Sequence, residues 1–424
     1  MSSIERIMRF FKTKQNFLKR LQQLKPYEWA FIILFITQIV LILYFDFFVL
    51  REHVSNKSSW IYLKPYIVWK EKALINPNWA EQTDLFLDRL VILSSFTFWI
   101  IKNSFIYYGI LKCIILTSLL ILIYNITKDF NFKFFISLIT LNLIIFPYLV
   151  NEFNISTNLV YFNNLLGSSY IYKYTLRTLI GLLIVKTMLD ISRRRYHPRL
   201  IILSIFSCIL TGIYSDNFVG EMFILPCIAY IIIRVFIDNT TKFLIINQSM
   251  YIYFCLILNF IPRIHLKNIH VFKGFWSLKN GINVFGNANY IFQCLMKLVN
   301  ILPIDKLEIP IIYKKGICYV LSFLTLIMIF IAVRFIVNKC IGEFNNINRG
   351  ILALIIIICC NIIAFTLFNV RYSSSIFDGE HLVSLFILLV IVIGYFFNEL
   401  DKRYACLIIL ASGTFINGIA SRYQ

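Results

Sequence analysis

The chain has 424 residues, 59% of them hydrophobic and 15% charged, and 41 lysines and arginines against 21 acids give a formal charge of +20. A soluble globular chain is about half apolar and about a quarter charged, so a water-soluble enzyme, a disulfide scaffold and a disordered chain are excluded. The composition describes an all-α, polytopic membrane helix bundle, in which the positive charge is read by side of the bilayer and not as a nucleic-acid footprint.

Residues 1–28 form a basic segment, with Arg6, Arg9, Lys12, Lys14, Lys19, Arg20 and Lys25 against Glu5. It is expected to lie as an amphipathic helix on the inner leaflet, with Phe10, Phe11 and Phe17 in the interface and the basic residues at the lipid headgroups. The apolar run that follows is too long for a signal peptide, and no small-residue cleavage site comes after it. Residues 29–424 read as a single transmembrane domain. Apolar runs of roughly 17 to 22 residues mark spans. They fall near 29–48, 105–126, 134–151, 175–191, 200–214, 222–237, 243–262, 317–337, 351–370, 382–397 and 404–419, which makes eleven. The loop 192–199 carries four arginines, and the loops 128–133, 339–349 and 398–403 are also basic. With eleven spans all of them fall on the cytoplasmic side together with the N terminus, as the bias of short loops requires. Residues 85–102, flanked by Asp84, Asp88, Arg89 and Lys102, are then an amphipathic or re-entrant helix at the outer interface.

The outer side holds two long loops, 49–104 and 263–316, and three shorter ones, 152–174, 215–221 and 371–381. The long ones exceed plain connections. Trp60, Tyr62, Tyr66, Trp69 and Trp79 mix with polar residues in the first, as expected of short helices lying on the membrane. Cysteines fall almost wholly in or beside apolar runs, with Cys294 alone in a polar loop, so neither a disulfide framework nor metal-ligand spacing is present.

Four constellations carry candidate chemistry. In FDFFVLREH, residues 45–53, Asp46 stands at the membrane boundary with Arg51, Glu52 and His53 just beyond it. A carboxylate there is costly to expose to lipid. It is either an interfacial cap paired to Arg51 or Lys64, or a general base that deprotonates an acceptor hydroxyl beside a cationic phosphate clamp. The hairpin 200–237 has arms of 15 and 16 residues. Each would reach only about 22 to 24 Å of the roughly 30 Å hydrocarbon core, so its tip YSDNFVGE should be recessed. Asp216, Asn217 and Glu221 at that depth must line protein or water; they could order a divalent cation, hold sugar hydroxyls or supply the base. The outer loop 263–316 is basic through residues including Arg263, Lys267 and Lys273, which suits an anionic ligand such as a lipid phosphate as well as a solvated loop over anionic lipid. In FNVRYSSSIFDGEH, residues 368–381, Arg371 leaves hydrocarbon beside Tyr372. It either snorkels or holds a phosphate bidentately. A fifth, weaker element is residues 163–174, where Gly, Ser and Tyr could stack on and hydrogen-bond a sugar.

The arrangement resembles the GT-C superfamily of polytopic glycosyltransferases, which use polyprenyl-phosphate-linked sugars on the outer face of the membrane. The likeness rests on the basic N terminus, Asp46 and then Glu52 just after the first span, a first outer loop of interface-lying helices, and the Arg371–Tyr372 pair opening a late outer loop. Among the branches it looks most like the bacterial glucosyltransferase-like membrane proteins, through LGSSYIY (166–172) and SDNFVGE (215–221). The resemblance covers the whole topology and contains no strict motif; the paired acids usual right after the first span are absent. It implies inversion at the anomeric carbon by direct attack, with polyprenyl phosphate as leaving group, a glycan or lipid as acceptor and a divalent metal in some branches only. It also implies a multi-pass protein of the bacterial plasma membrane. The catalytic candidates are then Asp46, Glu52, Asp216 and Glu221, and the substrate-binding candidates are Arg51, His53, Arg263, Lys267, Lys273, Arg371 and Tyr372. A repeat-unit polymerase of surface polysaccharide and a transporter or flippase are the alternatives. A transporter is expected to carry ionisable residues near mid-membrane on several helices.

Overall fold

The computed structural model describes residues 24–44, 104–145, 171–212, 218–237, 242–266, 276–277, 349–367, 369–370 and 383–399. Among them are nine α-helices: α1 Pro26–Tyr44, α2 Ser104–Asp129, α3 Phe134–Ile145, α4 Ile171–Ser192, α5 Pro198–Gly212, α6 Leu225–Ile237, α7 Lys242–Leu266, α8 Arg349–Leu367 and α9 Val383–Glu399. A turn of π-helix, Gly220–Ile224, leads directly into α6. Two short strands, β1 Trp276–Ser277 and β2 Asn369–Val370, pair antiparallel. Nine of the expected spans thus overlap helices, although residues 369–370, expected at the end of the span 351–370, form β2 instead. The expected spans 317–337 and 404–419 and the interface stretch 85–102 lie outside the described residues.

Among the described residues three stretches, Gly109–Asp129, Phe243–Ile261 and Arg349–Leu367, are long and apolar enough to cross a membrane. The distribution of side chains agrees with that reading. Gln38, Lys186, Asp190, Arg234, Gln248 and Asn259 are buried, while Phe243, Ile246, Met250, Tyr253, Phe254 and Ile257 line an exposed face of α7. A protein in water arranges these classes the other way round, whereas lipid accepts an apolar exterior and drives polar side chains inward.

Helix α4 is the central post. It packs against α2, α5, α7, α9 and the π-helical turn, and its residues 180–191 are all buried. A helix buried all round has neighbours on every side. Beside it, α5 and α7 meet through small side chains. The buried residues of α5 are Ser204, Ser207, Cys208, Thr211 and Gly212, a spacing of three and four that makes one stripe. Small residues let helix backbones approach where lipid supplies no hydrophobic drive. Across this seam the Tyr251 hydroxyl pairs with that of Ser204 at 2.7 Å, and Asn259 Nδ2 donates to Thr211 Oγ1 at 2.9 Å.

One end of the bundle is basic and tightly tied. Lys186 Nζ lies 2.7 Å from Asp129 and 2.6 Å from Asp190. Arg193 and Arg195 also reach Asp129, at 3.7 and 3.3 Å, and Arg193 stacks over the Phe130 ring at 5.9 Å. Lys133 N–H donates to Asn398 Oδ1 at 2.8 Å, and the Tyr230 hydroxyl donates to the Arg349 carbonyl at 3.3 Å. The ends of α2, α4, α6 and α9 and the starts of α3 and α8 therefore meet at one end. Gln248 extends the network. It accepts from Arg234 and donates to the Met188 carbonyl of α4 at 3.0 Å.

Two helices finish here with the same cap. After α2, Asn131 takes φ 59°, with N–H bonds from Asn131 to Lys128 and from Phe132 to Thr127, each 3.0 Å. After α4, Arg194 takes φ 58°, with bonds from Arg194 to Ile191 at 3.1 Å and from Arg195 to Asp190 at 2.9 Å. This is the Schellman arrangement, whose left-handed position favours glycine and admits asparagine. For arginine that conformation costs about 1–2 kcal/mol.

Candidate functional site

At the other end of the bundle α4, the π-helical turn, α8 and α9 converge. The local sequence explains the turn. Pro226 has no N–H to give the carbonyl four residues earlier, and its ring crowds that carbonyl. The carbonyl belongs to Met222. The chain widens there into a π-turn, in which the Leu225 N–H bonds to the Gly220 carbonyl. Asn361 of α8 supplies a donor from outside, with Nδ2 2.9 Å from the Met222 carbonyl. Such π-turns recur at functional sites. We expect Asn361→Leu to lower stability by about 1–3 kcal/mol, because a buried carbonyl loses a partner. Adding Pro226→Ala should recover part of the loss by restoring a backbone N–H. Thermal denaturation of the detergent-solubilised protein followed by size-exclusion chromatography reads both, and no loss in Asn361→Leu would show the bond to be idle.

The expected recess is partly described. Residues 213–217 of the tip, with Asp216, lie outside the described residues. Phe218 and Val219, expected in the loop, instead begin the helix that runs through the π-turn to Ile237 and are buried. The second arm of the hairpin is thus longer than its apolar run suggested, and its start is enclosed by protein. Glu221 sits on the π-turn, half-buried and engaged. On its flank, Gly181 of α4 lies so close to the Phe223 ring that a Cβ would collide with it.

Next to this contact is a residue that the sequence reading passed over. Arg177, 0% exposed, heads the fully buried side chains. Its guanidinium carbon lies 5.8 Å from the Phe218 ring centroid, within cation–π range. The neighbouring Thr178 shares a 2.6 Å hydrogen bond with Ser384 of α9. A buried arginine in an apolar helix is a functional signal by default. It was readable as a charge in the second turn of α4, but the same position also suits an arginine that snorkels to the interface. Among the described residues Arg177, Glu221, Thr178, Ser384 and Asn361 thus form a polar layer at this end. Along α4, nine residues separate Arg177 from Lys186, about 13 Å at 1.5 Å per residue.

The β1–β2 pairing adds the second feature. Trp276 pairs with Val370 and Ser277 with Asn369. It ties the basic loop 263–316, three residues past Lys273, to the residue just before Arg371. Arg263 belongs to the last turns of α7. Asp46, Arg51, Glu52, His53, Lys267, Lys273, Arg371 and Tyr372 lie outside the described residues. No group of three or more metal-ligating side chains occurs among the described residues. Compared with known protein families, curated proteins and solved structures, the chain matches none.

Proposed function

We propose that the chain is a multi-pass membrane glycosyltransferase with eleven spans and a cytoplasmic N terminus, moving a sugar from a polyprenyl-phosphate donor to a cell-surface glycan or lipid acceptor. The observation that carries this reading is the backbone pairing of Trp276 with Val370. It supports a shared site for the basic loop and Arg371, two stretches that the sequence puts almost 100 residues apart. A phosphate at the lipid boundary needs cations from both sides, and an arginine fork can hold two of its oxygens. The half-buried Glu221 on the π-turn, with the buried Arg177 nearby, supports an acid on the same end of the bundle.

In the proposed reaction the acceptor hydroxyl oxygen attacks the anomeric carbon. A carboxylate, from Glu221, Asp216, Asp46 or Glu52, takes the hydroxyl proton. The bond from that carbon to the phosphate oxygen breaks, and its electrons leave on polyprenyl phosphate, where Arg371, Lys267 and Lys273 meet the growing charge. The test is incubation of the purified protein in nanodiscs with a polyprenyl-phosphoryl sugar, followed by mass-spectrometric detection of released polyprenyl phosphate. Arg371→Lys is expected to lower release at least about tenfold, roughly 1.4 kcal/mol of transition-state stabilisation; Glu221→Gln should do the same if Glu221 is the base. Neutralising Lys314, farther along the loop, should do much less. Equal small effects at Arg371 and Lys314 would leave the arginine a mere snorkelling group.

The buried charges Lys186, Asp190 and Arg234 give a transporter its strongest support. Movement of the intact lipid-linked sugar across a proteoliposome, without release of polyprenyl phosphate, would favour that reading.

A further inference from the structure

The basic end of the bundle keeps an arginine where the backbone favours glycine. Arg194 holds the left-handed position of the α4 cap with φ 58°, while the matching cap after α2 uses Asn131. Strain of this kind persists where the side chain serves a purpose. The surrounding charges indicate which. Both described carboxylates beside this turn, Asp129 and Asp190, are turned inward and held by Lys186, Arg193 and Arg195. Arg194 is exposed and forms no ion pair among the described residues, and Arg195, Arg199, Lys128 and Lys133 around it are exposed as well. Arg195 shares its charge with Asp129 at 3.3 Å, whereas Arg194 and Arg199 face outward with no carboxylate to meet them among the described residues.

An exposed aromatic ring belongs to the same turn. Tyr196 is 50% exposed, its hydroxyl accepting a 3.2 Å bond from Asn247 Nδ2. Exposed rings beside basic residues mark the level at which acyl chains give way to headgroups. A solvated loop needs neither the ring nor the arginine in a glycine conformation.

We propose that the turn between α4 and α5 is a binding site for the headgroup phosphate of an anionic phospholipid, with Arg194 at its centre and Arg195 and Arg199 beside it. The carboxylates that would repel a phosphate are drawn inward by Lys186. The guanidinium of Arg194 meets the phosphate oxygens, and Tyr196 meets the glycerol and upper acyl chain. This site lies at the opposite end from the polar layer of Arg177 and Glu221, and its occupancy is independent of sugar transfer.

The experiment uses the full chain in nanodiscs of phosphatidylcholine alone or with phosphatidylglycerol, reading the thermal unfolding midpoint and the lipids retained in native mass spectrometry. The wild-type protein is expected to unfold several degrees higher with phosphatidylglycerol and to retain it preferentially. Arg194→Gly should unfold higher than wild type in phosphatidylcholine, because glycine relieves the backbone, yet lose at least half of the phosphatidylglycerol shift. Arg349→Gln, an exposed basic residue at the same end but outside the turn, should keep the shift. Inorganic phosphate added to the phosphatidylcholine sample should leave the midpoint unchanged. A full shift in Arg194→Gly, an equal loss in Arg349→Gln, or a shift reproduced by inorganic phosphate would each overturn the site, as an idle cap, a diffuse surface charge and a free-anion site respectively.

Discussion

Lys186→Met should unfold the bundle more readily than any other single polar substitution in the described core, by about 3–5 kcal/mol. Lys186 is 8% exposed and stands between Asp129 and Asp190, at 2.7 and 2.6 Å. Methionine keeps most of the volume and removes the charge, so two carboxylates are left facing one another in a poorly solvated place. Arg193 and Arg195 compensate Asp129, at 3.7 and 3.3 Å, but Asp190 is 2% exposed and is paired among the described residues with Lys186. Breaking a buried pair from one side is costly, whereas replacing the whole set with neutral groups is often nearly harmless. The triple variant Lys186→Met, Asp129→Asn, Asp190→Asn should therefore recover most of the lost stability. Unfolding midpoints of the detergent-solubilised variants by size-exclusion chromatography give the comparison. A triple variant no better than the single one would mean that Lys186 acts through packing.

Gly212→Val should be nearly as damaging, at about 3 kcal/mol, the upper end of ordinary overpacking. The Cβ built on Gly212 runs into the carbonyl oxygen of Asn259 on α7, a backbone atom that cannot swing aside. Separating the helices to make room also stretches the Asn259 bonds to Thr211 Oγ1 and to the Cys208 carbonyl, 2.9 and 3.3 Å. Gly181 gives the useful contrast, since its obstacle is the Phe223 ring, a side chain that can rotate. Gly181→Ala is thus expected to cost less than Gly212→Ala when the two are denatured side by side. The reverse order would show that α7 yields more easily than the ring.

The apolar runs made the helices legible, because lipid leaves no other way to satisfy the backbone. Their ends were legible where a charge or a turn residue cut the run. Residues 243–262 became Lys242–Leu266, and residues 105–126 became Ser104–Asp129. The start of the second hairpin arm was not, since Phe218 and Val219 look like any interfacial loop until Pro226 and Asn361 are considered together. Lys186 stood out as a charge in mid-run, and Asp190 four residues on was readable as its helical neighbour. Its partnership with Asp129 was not, because nothing local links α2 to α4. Arg177 and Arg234 went unremarked for a related reason: near the end of a run an arginine reads as interfacial, and only the packing of neighbouring helices turns it inward. Of the expected site, the described residues contain Glu221 and the backbone of Arg263.

The π-helical turn has a consequence for descent. A wide turn holds one residue more than an ordinary one, so it behaves as a single inserted residue accommodated on the spot. Losing one residue between Gly220 and Ile224 would let the turn close into plain α-helix, and everything from Cys227 to Ile237 would still face its present neighbours. The same loss further along α6 would rotate the rest of the helix by about 100°, carrying Tyr230 and Arg234 out of the bundle. Related chains that differ in length in this hairpin should therefore gain or lose their residue at Gly220–Ile224, with the acid of the tip shifting by one position while the rest of the bundle stays in register.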